Sequence, residues 1–410
     1  LGVALAIAGF VGIWILLGSV PAMLSARNGL TASLANADLA ALPLFLLMGN
    51  LAISAGFAKD IFETSSAVFG RVRGGHAIAT IIGSAGFGAI SGSSLATTAT
   101  LGQAAFGEMK ARGYPDRLAS GSIAAGGTLG ALLPPSVVLI IYCVIAEQSI
   151  AEAFAAALIP GLLATLLYVG AVLVHVRVIG LQASAPDAAS VGIAEVARKI
   201  WRPGALFALV LGGLYGGLFT AQEAAAVGAG FAFLFWLASG KASVAGLVTA
   251  IRDAIGTSAV LYLVLIGATI FGAFVNLSNA PYAILAVIDP AVLPAWLILL
   301  ILVVMYLVLG SVFDTVAALV VTVPFVIPII VGIDGDLIWW GIVTLSLVEI
   351  GMITPPIGMN IFVLKGVLGD RIQVSDIFRG ILPFLTADIL RLALLIAFPA
   401  IALWLPNAIG

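Results

Sequence analysis

Twice in this chain a glycine-rich stretch, inside a segment apolar enough for a membrane, runs into a Pro-Pro pair. The first copy is Gly126-Gly127-Thr128-Leu129-Gly130-Ala131-Leu132-Leu133-Pro134-Pro135-Ser136. The second is Glu349-Ile350-Gly351-Met352-Ile353-Thr354-Pro355-Pro356-Ile357-Gly358. Proline lacks an amide hydrogen and its ring collides with the preceding turn, so neither helix can continue through. At membrane depth an interrupted backbone survives only where it is buried in protein or lines a cavity. One such break in each half is the sequence mark of a transporter's binding site.

The composition agrees that lipid is the main solvent. The chain is 62% hydrophobic and 9% charged, where soluble domains carry about 25% charged residues. Its mean hydropathy is +1.23. A net charge of −2 gives no support for nucleic-acid binding. The one cysteine, Cys143, excludes an internal disulfide and a cysteine metal cluster. His76 and His175 lie too far apart to read as a ligand pair. The chain starts at Leu1, so a few residues are expected to precede it, and no cleavable signal peptide is evident.

A spanning helix needs about 20 apolar residues. Apolar runs then give spans near 1–24, 38–57, 118–147, 151–176, 203–220, 222–240, 254–279, 337–368 and 381–405. Residues 76–108 and 293–331 read instead as two apolar halves meeting at a small polar tip. The tips are Ser91-Gly92-Ser93-Ser94 and Gly310-Ser311-Val312-Phe313-Asp314-Thr315. Lysine and arginine favour the cytoplasmic side. Lys59, Arg71 and Arg73 precede the first double segment, and Lys110, Arg112 and Arg117 follow it. Both its ends are therefore expected inside, which makes it a re-entrant hairpin. Continuing the count places 177–202 inside, and Glu147, Glu152, the stretch 280–294, Asp334 and Asp336 outside. The second hairpin then enters from the opposite face. Only Arg27 and Arg391, among 17 basic residues, do not fall inside. Residues 38–176 and 254–405 share the order span, arm, hairpin, broken helix, span, which is the pattern of an inverted-topology repeat.

Broken helices leave carbonyls that can coordinate a cation, and N-termini that attract an anion. The candidate sodium ligands are Ser91, Ser93, Ser94, Gly127 and Gly130 in the first half. In the second half they are Gly310, Asp314, Thr315, Gly351 and Thr354. Hydroxyls and carbonyls are hard donors suited to an alkali cation, and the lack of clustered carboxylates argues against calcium or magnesium. Small residues also simply let helices approach closely. Ser93, Thr97, Thr128, Asp314, Thr354 and Asn360 are candidates to face a polar substrate, although threonines in such helices often bond their own backbone. Asp314 could serve an ion or merely cap the helix that follows it. Glu349 is an intramembrane acid that could tune ion or substrate charge. Asp388 and Arg391 are spaced to neutralise each other. No protease, zinc or nucleotide motif is present: Gly88-Ala89-Ile90-Ser91-Gly92 has the wrong glycine spacing for a serine nucleophile. An ion gradient, rather than ATP on this chain, is the expected driving force; a channel remains the rival from another class.

With those residues in view, the chain resembles the large membrane subunit of a tripartite ATP-independent periplasmic (TRAP) transporter. The resemblance runs from Ala41-Leu42-Pro43-Leu44-Phe45 onward and is densest at Gly88–Ser94, Gly127–Ser136 and Ile353–Asn360. It implies a sodium-driven elevator importer in a bacterial inner membrane, a multi-pass protein bathed in membrane lipid. It also implies a periplasmic substrate-binding protein that delivers a small organic anion, and a small four-helix membrane subunit, expected here as a separate chain. The family's sodium sites correspond to Ser91, Ser93, Gly127 and Gly130, and to Gly310, Thr315, Gly351 and Thr354. A stand-alone sodium/dicarboxylate symporter of the same superfamily is the alternative, but the Ser-Asn-Thr tips of such symporters are replaced here by Ser91-Gly92-Ser93 and Phe313-Asp314-Thr315.

The expected fold is an all-α integral membrane protein: an inverted repeat with two re-entrant hairpins, two broken helices and an elevator architecture. Its parts are a scaffold helix in 1–37, a scaffold helix and arm in 38–75, and a first transport segment in 76–147. Scaffold helices and a second arm follow in 148–292, then a second transport segment in 293–368 and a scaffold helix in 369–410.

Overall fold

Apolar segments separated by polar or proline breaks do become helices. The computed structural model describes residues 1–180, 193–279 and 293–409, and among these all regular structure is helical. Six described helices are long and apolar enough to cross a membrane, or up to eight if two bent pairs each count as one span. The protein is thus a multi-pass membrane protein. Parts of two topology expectations, the inside loop 177–202 and the outside stretch 280–294, fall outside the described residues, as does the second arm.

Lipid tails are as apolar as leucine, so helices inside a membrane associate through close packing of small residues. The two broken helices meet that requirement and form the centre. In helix Asp116–Leu132 every residue from Leu118 to Leu132 is buried, and in helix Leu337–Gly351 every residue from Ile338 to Gly351 is buried. The first hairpin, Gly75–Ser91 and Ser94–Ala111, packs both arms against Asp116–Leu132. The second, Ala295–Val312 and Thr315–Gly332, packs against Leu337–Gly351. Helix Ile150–Val178 and helices Leu382–Ala397 and Ala400–Ile409 close the back of this body. Tyr142 Oη donates to the carbonyl of Leu337, and Trp339 Nε1 donates to Leu395 O at 2.8 Å, stitching its parts together.

A second group surrounds helix Val244–Leu277, against which Gly2–Leu17, Ser19–Ala35 and Ala41–Ala55 pack. Helix Ala221–Ala238 lies on Ala41–Ala55. Asn50 Nδ2 donates to Ala250 O at 3.1 Å across this group. The interfacial helix Phe57–Phe69 joins the groups: it packs on the first hairpin and, through Glu63, holds Lys199 of helix Ile193–Tyr215 at 3.0 Å. A cavity of about 630 Å³ lies beside Glu147 and is lined by Ser33 and Thr269 of the second group and by Pro324 and Pro328 of the second hairpin.

Several boundaries differ from the sequence expectation. The single span 1–24 is two helices, because Gly18 adopts φ 92°, a left-handed value that breaks the helix between Leu17 and Ser19. The span expected at 254–279 begins ten residues earlier, where the Ser243 hydroxyl accepts from Gly246 N at 3.0 Å and caps the helix. The span at 203–220 likewise starts at Ile193 and stops at Tyr215. The span at 381–405 divides between Leu382–Ala397 and Ala400–Ile409, with Pro399 at the junction.

Candidate ion and substrate site

The first tip forms because Gly92 takes φ 62° and Ser93 is extended, so one helix ends and another starts within two residues. Ser93 Oγ accepts from Ala96 N at 3.3 Å, capping the new helix. Thr97 Oγ1 donates to Ser93 O at 2.8 Å and lies 3.1 Å from Ser91 Oγ, which fixes the tip. The broken helix then presses directly on it. A Cβ on Gly130 would lie 2.7 Å from Ser93 O and overlap Thr97 Oγ1, and one on Gly127 would overlap Thr98 Oγ1. The structure therefore brings the sodium candidates Ser91, Ser93, Gly127 and Gly130 together with the substrate candidate Thr97, while Ser94, the remaining sodium candidate of this half, opens the next helix and is buried.

Their roles are not equal. Gly127 lies inside helix Asp116–Leu132, where the helical ladder engages its carbonyl; what it offers is the space Thr98 fills. Four residues beyond Gly130 and Ala131 stand Pro134 and Pro135, which have no amide hydrogen. The carbonyls of Gly130 and Ala131 thus lack helical donors, and these are the oxygens the break makes available to a cation. Ala131 was not a sequence candidate. Its signal was present: it stands four residues before a proline.

The second half repeats the packing with different chemistry. Gly351 lies against Gly310, whose Cα would be 2.6 Å from a Gly351 Cβ. Asp314 caps helix Thr315–Gly332 by accepting from Ala317 N, so the capping alternative accounts for one of its oxygens. Here the break keeps fewer carbonyls free: Gly351 O accepts from Thr354 N at 2.9 Å, and Met352 O from Asn360 N at 3.0 Å. Thr354 Oγ1 donates back to Ile350 O at 2.6 Å.

Three expected substrate contacts lie elsewhere than at an accessible surface. Thr128 projects from a different helical face than Gly127 and Gly130; its hydroxyl donates to Ala125 O and pairs with Tyr168 Oη at 3.1 Å. Tyr168 in turn donates to Asp388 Oδ2 at 2.7 Å. Asp388 and Arg391 approach to 2.9 Å, though neither of those atoms achieves hydrogen-bond geometry, so theirs is an ion pair without a directional bond. Thr97 and Asn360 are completely buried. Ser93, Asp314 and Thr354 retain exposure.

Glu349, which the sequence offers as an acid that could tune ion or substrate charge but not as a ligand, is 1% exposed and accepts from Thr315 Oγ1 at 2.9 Å. Asn360 Nδ2 reaches from the second break to Ser94 Oγ of the first hairpin at 2.8 Å. The two halves are therefore joined at their tips by side-chain contacts. No group of three His, Cys, Asp or Glu side chains suited to a metal occurs among the described residues.

Residues 1–401 match the family model described as tripartite ATP-independent periplasmic transporter, DctM component. The C4-dicarboxylate TRAP transporter large permease protein DctM of Pseudomonas aeruginosa is 32% identical, over 91% of this chain and 87% of that protein. The sialic acid TRAP transporter large permease protein SiaM of Vibrio cholerae is also 32% identical, with the same coverage. The ectoine TRAP transporter large permease protein TeaC of Halomonas elongata is 29% identical, over 98% of this chain and 94% of that protein. In fold the chain is similar to the YdaH transporter of Alcanivorax borkumensis, with a TM-score of 0.63 at 15% identity, covering 95% of this chain and 90% of that one.

Proposed function

For this chain, which belongs to the DctM component family of tripartite ATP-independent periplasmic transporters, we propose sodium-coupled import of a small organic acid. Its relatives are transport permeases rather than enzymes. The observation that carries the reading is the first tip and break: carbonyls stripped of donors by Pro134 and Pro135 stand beside the Ser93 tip, packed so closely that only glycine fits at Gly130. Free carbonyls in a dry site are ligands for a cation of sodium's hardness. Sodium there would order the tip and so present the N-terminus of helix Ser94–Ala111, the positive end of a helix, to a carboxylate.

Relatives named for C4-dicarboxylates and for sialic acid make a carboxylate-bearing substrate the natural class. Import would occur across the bacterial inner membrane. A periplasmic substrate-binding protein would deliver the substrate, and a small four-helix subunit would brace the helices around Val244–Leu277. The hairpins would enter from opposite faces, and transport would be an elevator movement of one helix group past the other. The sequence boundaries assign 148–292 and 369–410 to the scaffold. Because Ile150–Val178 and Leu382–Ile409 pack on the broken helices, they would instead travel with the hairpins. The cavity beside Glu147 is the gap along which that sliding would occur.

Reconstituted vesicles containing the permease, its small subunit and the binding protein provide the test. Uptake should require an inward sodium gradient and the binding protein together. Uptake that persists without the gradient refutes sodium coupling. Uptake that persists without the binding protein refutes the tripartite reading in favour of a stand-alone symporter, and current without saturation points to a channel.

A further inference from the structure

Helices Ile150–Val178 and Leu382–Ala397 are held together where Tyr168 bonds Asp388 at 2.7 Å and stands edge-on to Phe384 at 5.5 Å. Beside this seam they part to leave a groove of about 530 Å³. It follows the first helix from Leu167 forward to Val178 and the second from Leu390 back to Pro383, as antiparallel neighbours require. Gly170, Ala171 and Ala387 hollow it, because their side chains are too small to fill the space between the helices. Its wall is apolar apart from His175 and Thr386, and the Thr386 hydroxyl is already spent on Pro383 O at 2.7 Å. From Leu167 to Val178 a helix rises about 16 Å, and one leaflet of a bilayer's hydrocarbon core is about 15 Å deep. The groove is as long as an acyl chain's own layer.

One end of the groove is marked by charge. His175 and Val178 line it there, with exposed Arg177 between them in sequence; Arg379, also exposed, stands four residues before Pro383. Neither arginine makes an ion pair among the described residues. The acid nearest Arg379 in sequence, Asp376, is held by Arg117 at 3.0 Å. The turn carrying exposed Arg71 and Arg73 packs on the same end of the first helix, since a Cβ on Gly74 would lie 2.7 Å from Val176 Cγ2. Arginines gathered at one end of a span mark the cytoplasmic side, where a basic pocket between helices attracts anionic headgroups.

We infer that this groove binds one anionic phospholipid of the cytoplasmic leaflet. One acyl chain lies along Gly170, Ala171 and Ala387, and the phosphate sits at the mouth among His175, Arg177 and Arg379. The apolar wall selects a hydrocarbon chain, the length selects a single leaflet, and the unpaired arginines select a negative headgroup. The site is remote in sequence from the tips and breaks, and it does not depend on sodium coupling. Its chain fills the space beside Ala387, the neighbour of buried Asp388, so the bound lipid packs the outer side of the seam that holds the Asp388–Arg391 pair.

The test counts lipids retained by the purified permease–small-subunit complex in native mass spectrometry, after equilibration in detergent with phosphatidylglycerol and phosphatidylcholine in competition. The wild type should retain one phosphatidylglycerol in preference to phosphatidylcholine. Gly170→Phe places a ring in the groove, and no protein atom lies within 4 Å of its Cβ position to oppose it. That variant should retain one lipid fewer. Gly204→Phe, at an exposed position of helix Ile193–Tyr215 with equally open surroundings, controls for the added ring and should keep the wild-type count. Arg177→Ala with Arg379→Ala should keep the lipid but lose roughly thirtyfold of the preference for phosphatidylglycerol. An unchanged count in Gly170→Phe, or no headgroup preference in the wild type, overturns the inference. Release of the small subunit by Gly170→Phe, with the lipid count unchanged, overturns it in favour of a subunit contact.

Discussion

Gly130→Ala is the sharpest probe of the tip–break junction. The added methyl would stand 2.7 Å from Ser93 O and overlap Thr97 Oγ1. Ordinary contact needs about 3.4 Å, so the Ser93 carbonyl must retreat by roughly 0.7 Å or the break must open by as much. The obstacle is backbone rather than the end of a flexible side chain, so rotamer changes cannot absorb it. Overpacking of this kind costs about 1–3 kcal/mol. If the strain falls on the sodium-bound arrangement, where the tip is tightest, the sodium concentration for half-maximal uptake should rise about 5- to 150-fold. Sodium titration of uptake in proteoliposomes, at saturating binding protein, reads this directly. Gly107→Ala is the control: it lies in hairpin helix Ser94–Ala111, which packs on the helix of Gly130, with nothing within 4 Å of its Cβ position, so its sodium dependence should match the wild type. A wild-type sodium curve for Gly130→Ala would falsify the claim that this contact positions the ion's ligands.

The remaining predictions concern other parts of the molecule. Gly351→Ala should be at least as damaging as Gly130→Ala, because its methyl meets the backbone of Gly310 and Ser311; wild-type uptake would sink the equivalence of the two junctions. Asp388→Leu alone strands a buried guanidinium and should cost about 3–5 kcal/mol. Asp388→Leu with Arg391→Met should recover most of that loss in thermal melting of the detergent-solubilised protein, and equal melting of single and double variants would contradict the ion pair. Thr128→Val, which removes one partner from Tyr168, should cost about 1 kcal/mol and leave sodium dependence unchanged; a shifted sodium curve would return Thr128 to the binding site. Asp60, in the interfacial helix, has its carboxyl pKa raised by burial, with Lys241 opposing. A raised folded-state value stabilises below the unfolded pKa and loses that contribution as pH rises through the folded one. Asp60→Asn should therefore melt above the wild type at pH 7 and converge with it in acid, and identical melting at pH 7 would refute the assignment.

The breaks and tips were legible in the sequence because their causes are local. Pro134-Pro135 and Pro355-Pro356 end helices wherever they stand, and Ser91-Gly92-Ser93 supplies both a left-handed position and a cap. Family resemblance was readable for the same reason: the specific residues sit in consecutive runs. What could not be read was direction. Thr128 and Gly127 are neighbours in sequence, yet one faces Tyr168 and the other Thr98, and only the packing of Ile150–Val178 decides which. Asn360 looked like a substrate contact because it is polar beside a break; its partner, Ser94, lies 266 residues away. Helix starts were misjudged where a cap outweighed polarity: Ser243 begins a helix that carries Arg252 and Asp253 without interruption.

The two junctions share a close glycine-on-glycine approach and differ in the polar groups they present, which constrains how the halves divide their work. Gly88 lies on Gly130 as Gly310 lies on Gly351, so close approach of tip and break is the common element. Counting back two residues from Gly130 and from Gly351 gives Thr128 in one half and Glu349 in the other. The first turns outward to Tyr168, and the second turns inward to Thr315. At the first junction the free ligands are carbonyls; at the second, Thr354 N and Asn360 N occupy the corresponding oxygens, and an acid is supplied instead. A neutral carbonyl site releases its ion at little electrostatic cost, whereas a carboxylate site holds its ion until another charge replaces it. If Glu349 helps hold an ion at the second junction during import, the carbonyl junction should empty first on the cytoplasmic side. The tip at Ser93 would then loosen while Thr315 remained held, and the substrate would leave past the first hairpin rather than the second.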